Sequence, residues 1–208
     1  MRRVALAAAL GLMALGSHPA SAGMPTDQLK STIDRVLATV QDPALKGTDK
    51  ATERRQRLRG LANEVFDWQE TGKRALARHW QARSPKEREE FSALFADLLE
   101  RSYVNKIEAY SGERIVYEQE AVDGDQATVR TKLVTKSGTQ VPIDYRMFKA
   151  GERWRVYDVI IENVSLVGNY RAQFNRIIQQ SGYPDLVQRL RTKQEEFTFE
   201  EQGKGAKP

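Results

Sequence analysis

Residues 154–174, WRVYDVIIENVSLVGNYRAQF, change their periodicity midway, and that change constrains the fold more than any other feature of the chain. Residues 154–161 are mostly β-branched or aromatic, with apolar side chains at both parities, the pattern of a strand covered on both faces. After Glu162 and Asn163 the spacing becomes helical. Ser165 takes the N-cap position, and Leu166, Val167, Tyr170, Phe174, Ile177 and Ile178 recur every three or four residues. A strand that runs straight into a helix ties sheet and helices into one unit, so the upstream chain must supply the rest of the sheet or its cover.

Three strands precede it. Residues 114–122, 126–135 and 140–148 are extended runs separated by Asp123-Gly124-Asp125, by Lys136-Ser137-Gly138-Thr139 and, before residue 154, by Lys149-Ala150-Gly151-Glu152. Short glycine-containing turns between extended runs predict an antiparallel meander. Ala127, Val129, Thr131 and Leu133 alternate with Arg130 and Lys132, and Val141, Ile143, Tyr145 and Met147 alternate with Asp144 and Arg146, so one face is dry and the other wet. Pro142 suits an edge or a bulge. Before the sheet, the spacing predicts helices over residues 24–40, 48–65 and 69–80. A long helix follows from residue 85 to about 110, opened by the capping box Ser84-Pro85-Lys86-Glu87. Arg54, Arg55, Arg57 and Arg59 give the second helix a basic face, which reads as a solvated surface or as a dock for an acidic partner. Gly182 ends the helix after Ser165, and Tyr183-Pro184-Asp185 opens a last one. The fold class is α+β: a curved four-stranded antiparallel meander covered on one face by helices.

Arg2 and Arg3, the apolar run that follows, and Ala20-Ser21-Ala22 have the form of a cleavable signal peptide over residues 1–22. Residues 23–193 then form one domain, and residues 194–208 a polar, disordered tail. The chain has Cys 0, so no disulfide supports it. It has His 2, of which His18 lies in the leader and His79 beside Trp80, where it reads as a surface or cap residue. Thiol nucleophiles and histidine-based zinc sites are thereby excluded, and no metal site or cofactor motif is present. The formal net charge of +5, part of it carried by the leader's two arginines, is too mild and too dispersed for a nucleic-acid binder.

The interior is rich in large apolar groups. Phe91, Leu94, Phe95, Leu98, Tyr103 and Ile107 share one side of the long helix. Val129 and Leu133, then Val141, Ile143, Tyr145 and Met147, then Trp154 and Val156, make the dry sheet face. Leu166, Tyr170 and Phe174 face it from the helix after Ser165. Asp158 is the one acid at an inward parity, read either as a carboxylate held by a backbone N–H or an arginine, or as a catalytic base. The residues alone leave open whether this interior is filled solid or holds a hollow.

Several motifs resemble, in order and spacing, the MlaC family of periplasmic phospholipid carriers. Phe66-Asp67-Trp68 stands for its Phe-Asp-aromatic motif, and Ala75-Leu76-Ala77-Arg78-His79-Trp80 for its Ala-Leu-Gly-x-x-Trp, with Ala77 in place of glycine. Phe91, Phe95, Leu98 and Tyr103 fit its long helix, and Val141-Pro142-Ile143-Asp144-Tyr145 one of its strands. Val156-Tyr157-Asp158-Val159 with Asn169-Tyr170-Arg171 carries the resemblance furthest. Glu162-Asn163 departs from the family's Glu-Gly, but asparagine tolerates the left-handed conformation. The resemblance implies a monomeric, non-enzymatic carrier whose apolar lipid cavity is lined by the interior residues named above, with Arg146 and Arg171 as headgroup neighbours. Its implied partners are a phospholipid ligand, an outer-membrane lipoprotein–porin complex and an inner-membrane ABC transporter with a lipid-binding ring. Two alternatives stand beside it: a solid-cored adaptor docking through Arg54–Arg59, and a small cone-shaped enzyme using Asp158 as base.

Overall fold

The first helix, α1 (Met24–Gln41), is bound to two strands at once. The Thr26 N–H donates to Glu120 of the first strand at 2.8 Å, and Gln28 accepts from the Trp154 N–H of the fourth at 2.9 Å. These two bonds lay α1 across the dry face of the sheet, with Leu29 and Ile33 packed onto it. The computed structural model describes residues 24–204. The expected signal peptide and residues 205–208 lie outside them.

After 3₁₀ turns at Pro43–Leu45 and Thr48–Lys50, α2 (Ala51–Val65) begins three residues later than the spacing suggests. Its basic face meets an acidic partner within the same chain. Arg54 and Arg55 pair with Glu108 at 2.8 and 3.1 Å, and Arg59 with Glu100 at 2.6 Å, all on α4. Arg155 donates to the carbonyls of Asn63, Glu64 and Phe66, satisfying the open C-terminal end of α2.

Phe66 and Asp67 then run beside the fourth strand, where the Asp67 N–H donates to the Val156 carbonyl at 3.0 Å. The Asp67 carboxylate caps α3 (Trp68–Leu76) through the Glu70 N–H. α4 (Pro85–Glu108) opens on the expected capping box, with Ser84 and Glu87 bonding each other's backbone.

The sheet is β1 (Arg114–Asp123), β2 (Gln126–Val134), β3 (Gln140–Ala150), β4 (Arg153–Ile161) and a fifth strand that the sequence reading did not separate, β5 (Val164–Ser165). The order is β1-β2-β3-β4-β5, antiparallel throughout. Glu162 and Asn163 join β4 to β5 with φ of 49° and 67°, the two left-handed residues of a primed hairpin turn. Pro142 lies in β3, which has neighbours on both sides, rather than at an edge. It sits where the β3–β4 ladder ends, so its missing N–H breaks no bond to β4. Extra residues at Glu118 and Tyr157 bulge β1 and β4 and curve the sheet.

α5 (Leu166–Lys204) leaves β5 directly, and its backbone continues past residue 194, where the sequence places the start of the tail. It kinks at Gly182, whose φ of 83° requires glycine, ahead of Pro184. α3, α4 and both limbs of α5 share one apolar cluster, while α1 and the sheet share another.

Candidate functional site

The register assembles an inner sheet face from Ile115 and Tyr117 on β1, Ala127, Val129, Thr131 and Leu133 on β2, and Val141, Ile143, Tyr145 and Met147 on β3. Trp154 and Val156 on β4 share it and, beyond the bulge, so do Val159 and Ile161. Burial divides this face into two halves. Under α1 it is sealed: Val129, Met147 and Val156 have no exposed surface, and Ala127 and Trp154 little. At the other end, where α4 hands over to β1 and β4 to β5, Ile115, Leu133, Val141, Ile143, Val159 and Ile161 are half-buried. Ile107 and Val164 at that end are 40% and 55% exposed.

Tyr145 sits at the boundary, paired with Val129 on one side and Val159 on the other. Burial alone pushes its phenol up to about 12, yet the side chain is only half-buried. Tyr117 is driven further up, by burial first, then by Tyr145 and Asp34, and its buried hydroxyl has no hydrogen-bond partner. Thr131 directs its own hydroxyl to the Ile143 carbonyl at 2.8 Å. The unsealed half therefore offers apolar surface and neutral phenols.

The sequence-predicted wall residues are not all brought together. Phe91, Phe95 and Phe174 are closely packed, with Tyr170 against them, at ring distances of 5.2 to 5.9 Å. Leu94 is buried in the same cluster, with Leu98 and Tyr103 partly buried on it. Leu166 is half-buried at the start of α5. Leu98, Tyr170 and Phe174 also line a cleft of about 590 Å³ between α4 and the two limbs of α5, together with Ile177, Leu186 and Leu190. Arg101, Arg189 and Lys193 share its wall.

Arg146 is on the opposite sheet face from Tyr145 and Met147, 3.5 Å from Asp158, and Arg171 is exposed on α5. Asp158 does not face inward. The bulge at Tyr157 shifts it out of phase with Val156, to the side of Arg146. There its oxygens accept from Ser165 Oγ at 2.7 Å and the Val167 N–H at 3.1 Å, while Ser165 Oγ accepts from the Gly168 N–H at 2.8 Å. This buried carboxylate fixes the start of α5. His79 Nε2 lies 3.0 Å from Asn175 Oδ1, joining α3's end to α5.

Val159 and Ile161 are hidden in the sequence because the bulge at Tyr157 inverts their parity relative to Trp154 and Val156, and Ile115 and Tyr117 because the bulge at Glu118 cuts the alternation of β1 short. Ile115 and Tyr117 share parity before the β1 bulge, which is the signal that was there to read. Among the described residues no group of side chains could hold a metal ion, and no helix is long and apolar enough to cross a membrane.

The profile of the family described as MlaC protein matches residues 30–192. The chain is 24% identical over 124 residues to the intermembrane phospholipid transport system binding protein MlaC of Haemophilus influenzae, covering 57% of this chain and 58% of that one. It is 27% identical over 100 residues to the toluene tolerance protein ttg2D of Pseudomonas putida, covering 48% and 46%. The chain thus spans about half the length of these curated relatives. A phospholipid-binding protein from Ralstonia solanacearum, solved in complex with a phospholipid, superposes with a TM-score of 0.74 at 26% identity, covering 85% of this chain and 99% of that one.

Proposed function

Since this chain belongs to the MlaC family, we propose that it is a non-catalytic carrier that takes phospholipid acyl chains against the unsealed half of the inner sheet face. The observation that carries this reading is the apolar end of the inner face that α1 leaves unsealed, where Leu133, Val141, Ile143 and Tyr145 are half-buried while Val129, Met147 and Val156 are fully covered. The Ralstonia solanacearum protein supports it, because its fold covers nearly all of that chain and it was solved holding a phospholipid. The energetics suit such a surface. At ~0.8 kcal/mol per buried CH₂, a diacyl lipid leaving a bilayer for water costs on the order of 25 kcal/mol. An apolar hollow that replaces the bilayer brings the transfer close to neutral and keeps release within reach. Selectivity then rests on chain volume, since the inner face presents no cation.

The carrier works in the periplasm, exported by residues 1–22. It receives and delivers lipid between an outer-membrane lipoprotein–porin complex and an inner-membrane ABC transporter with a lipid-binding ring. The Haemophilus influenzae relative is a binding protein of an intermembrane phospholipid transport system, which supports a place between two membranes. Headgroups lie outside the hollow, with exposed Arg171 as a candidate neighbour.

Native mass spectrometry of the protein purified from periplasm without detergent, followed by lipid extraction, tests the reading. Near-stoichiometric phospholipid is the expected result. A lipid-free mass that incubation with phospholipid vesicles leaves unchanged would overturn it in favour of a solid-cored adaptor.

A further inference from the structure

The cleft between α4 and the kinked α5 is built only from helix residues, and no strand contributes to it. Six apolar side chains line it: Leu98, Tyr170, Phe174, Ile177, Leu186 and Leu190. Its polar lining comprises Arg101, Arg189, Lys193, Ser102, Asn105 and Gln173, with no carboxylate among them. Arg101 and Arg189 each pair with an acid one helical turn earlier, Asp97 and Asp185, both at 2.7 Å, and neither of those acids lines the cleft. Apolar surface beside three cations complements a molecule with one hydrocarbon end and one anionic end.

Volume then sets the number of chains. A methylene occupies about the share of space that a water does in the liquid, ~30 Å³. A cleft of about 590 Å³ therefore matches one acyl chain of ordinary length and its linkage. We propose that this cleft is a second lipid site, separate from the inner sheet face, that takes a single-chain anionic amphipath such as a lysophospholipid or a fatty acid.

The test uses the full mature protein with its co-purified diacyl phospholipid in place. It is titrated with lysophosphatidylglycerol, and separately with an uncharged monoacylglycerol, both below their micelle concentrations, and followed by native mass spectrometry. The expected result is one lysophosphatidylglycerol bound in addition to the diacyl cargo, about tenfold tighter than the monoacylglycerol, the scale that ion pairs to the two exposed cations, Arg189 and Lys193, allow. Ser102→Trp fills the cleft from α4 and Gln173→Trp from α5. Each removes the second ligand and leaves the diacyl cargo. Arg189→Glu with Lys193→Glu abolishes the preference for the charged probe. No second ligand, a second ligand indifferent to charge, or tryptophan variants that lose diacyl cargo and lysolipid together would each overturn the proposal. A protein that takes lysophosphatidylglycerol but carries no diacyl lipid would uphold this site and defeat the carrier reading instead.

Discussion

Ala77 occupies a backbone conformation that its side chain resists. Its φ of 48° and ψ of −118° match the first central position of a type II′ turn, where glycine is the usual residue and an L side chain is strained. α3 must break there so that Trp80 can turn into the core, where it is 7% exposed. Ala77→Gly should therefore raise stability by about 1 kcal/mol, net of the entropy that glycine adds to the unfolded chain. Urea denaturation of the two proteins checks this, and an unchanged or lowered midpoint would show that the turn relaxes around alanine. A second residue-scale expectation concerns Tyr145. Its phenol is held up at about 12, against an ordinary value near ~10, so the fold favours the neutral form. That contribution is fully present below about pH 10 and is lost as pH rises through about 12. Tyr145→Phe has no proton to lose, so its stability should fall less between pH 9 and pH 11 than that of the unaltered protein. Equal losses in denaturation at the two pH values would place Tyr145 in contact with bulk water.

Where elements cross, the strain is of packing rather than conformation. α3 meets α4 with Gly72 over Ser92: a Cβ on Gly72 would lie 2.7 Å from Ser92 Oγ, while Phe91 and the Ser92 backbone stand at an ordinary 3.5 Å. Ser92 Oγ is itself buried without a partner. Gly72→Ala alone must displace that hydroxyl, whereas Gly72→Ala with Ser92→Ala removes the clash, the orphaned hydroxyl and the helix-interior glycine together. The double variant should be about 1 kcal/mol more stable than the unaltered protein, with the single Gly72 variant below the double. Additive effects in a double-mutant cycle would mean that the two side chains do not meet. The element scale also shows how far the sequence could be read. Helix starts marked by a side-chain cap, Ser84 with Glu87 and Ser165 with Gly168, were legible, because the bond is local. The meander was legible because its turns carry Gly124, Gly138 and Gly151. The facing of side chains past Glu118 and Tyr157 was not, since a bulge inverts parity through the pairing of distant residues and leaves no local mark. Asp158 was misplaced for that reason, and the division of the inner face was hidden because it depends on where α1 lies. The cleft was out of reach too, since its wall comes from two limbs of a helix that Gly182 folds back onto α4.

The whole molecule combines a fixed end and an open one. α1 seals Val129, Met147 and Val156, and the salt bridges from α2 to Glu100 and Glu108 hold α4 beside it. The far end keeps its apolar groups half-covered, an arrangement that costs hydrophobic stabilisation unless something else covers them. A cargo that binds only the folded chain supplies that cover and stabilises it, by about 2.7 kcal/mol when its free concentration is a hundred times the dissociation constant. Stripping the lipid should therefore lower the unfolding temperature, and the loss of amide protection should be uneven. Hydrogen exchange should quicken around Leu133, Val141, Ile143 and the C-terminal half of α4, while Val129, Met147 and Val156 stay protected. Uniform quickening would mean that lipid stabilises the fold without residing at the open end. Unchanged exchange would leave the half-buried face unexplained by cargo and point to a protein partner as its cover.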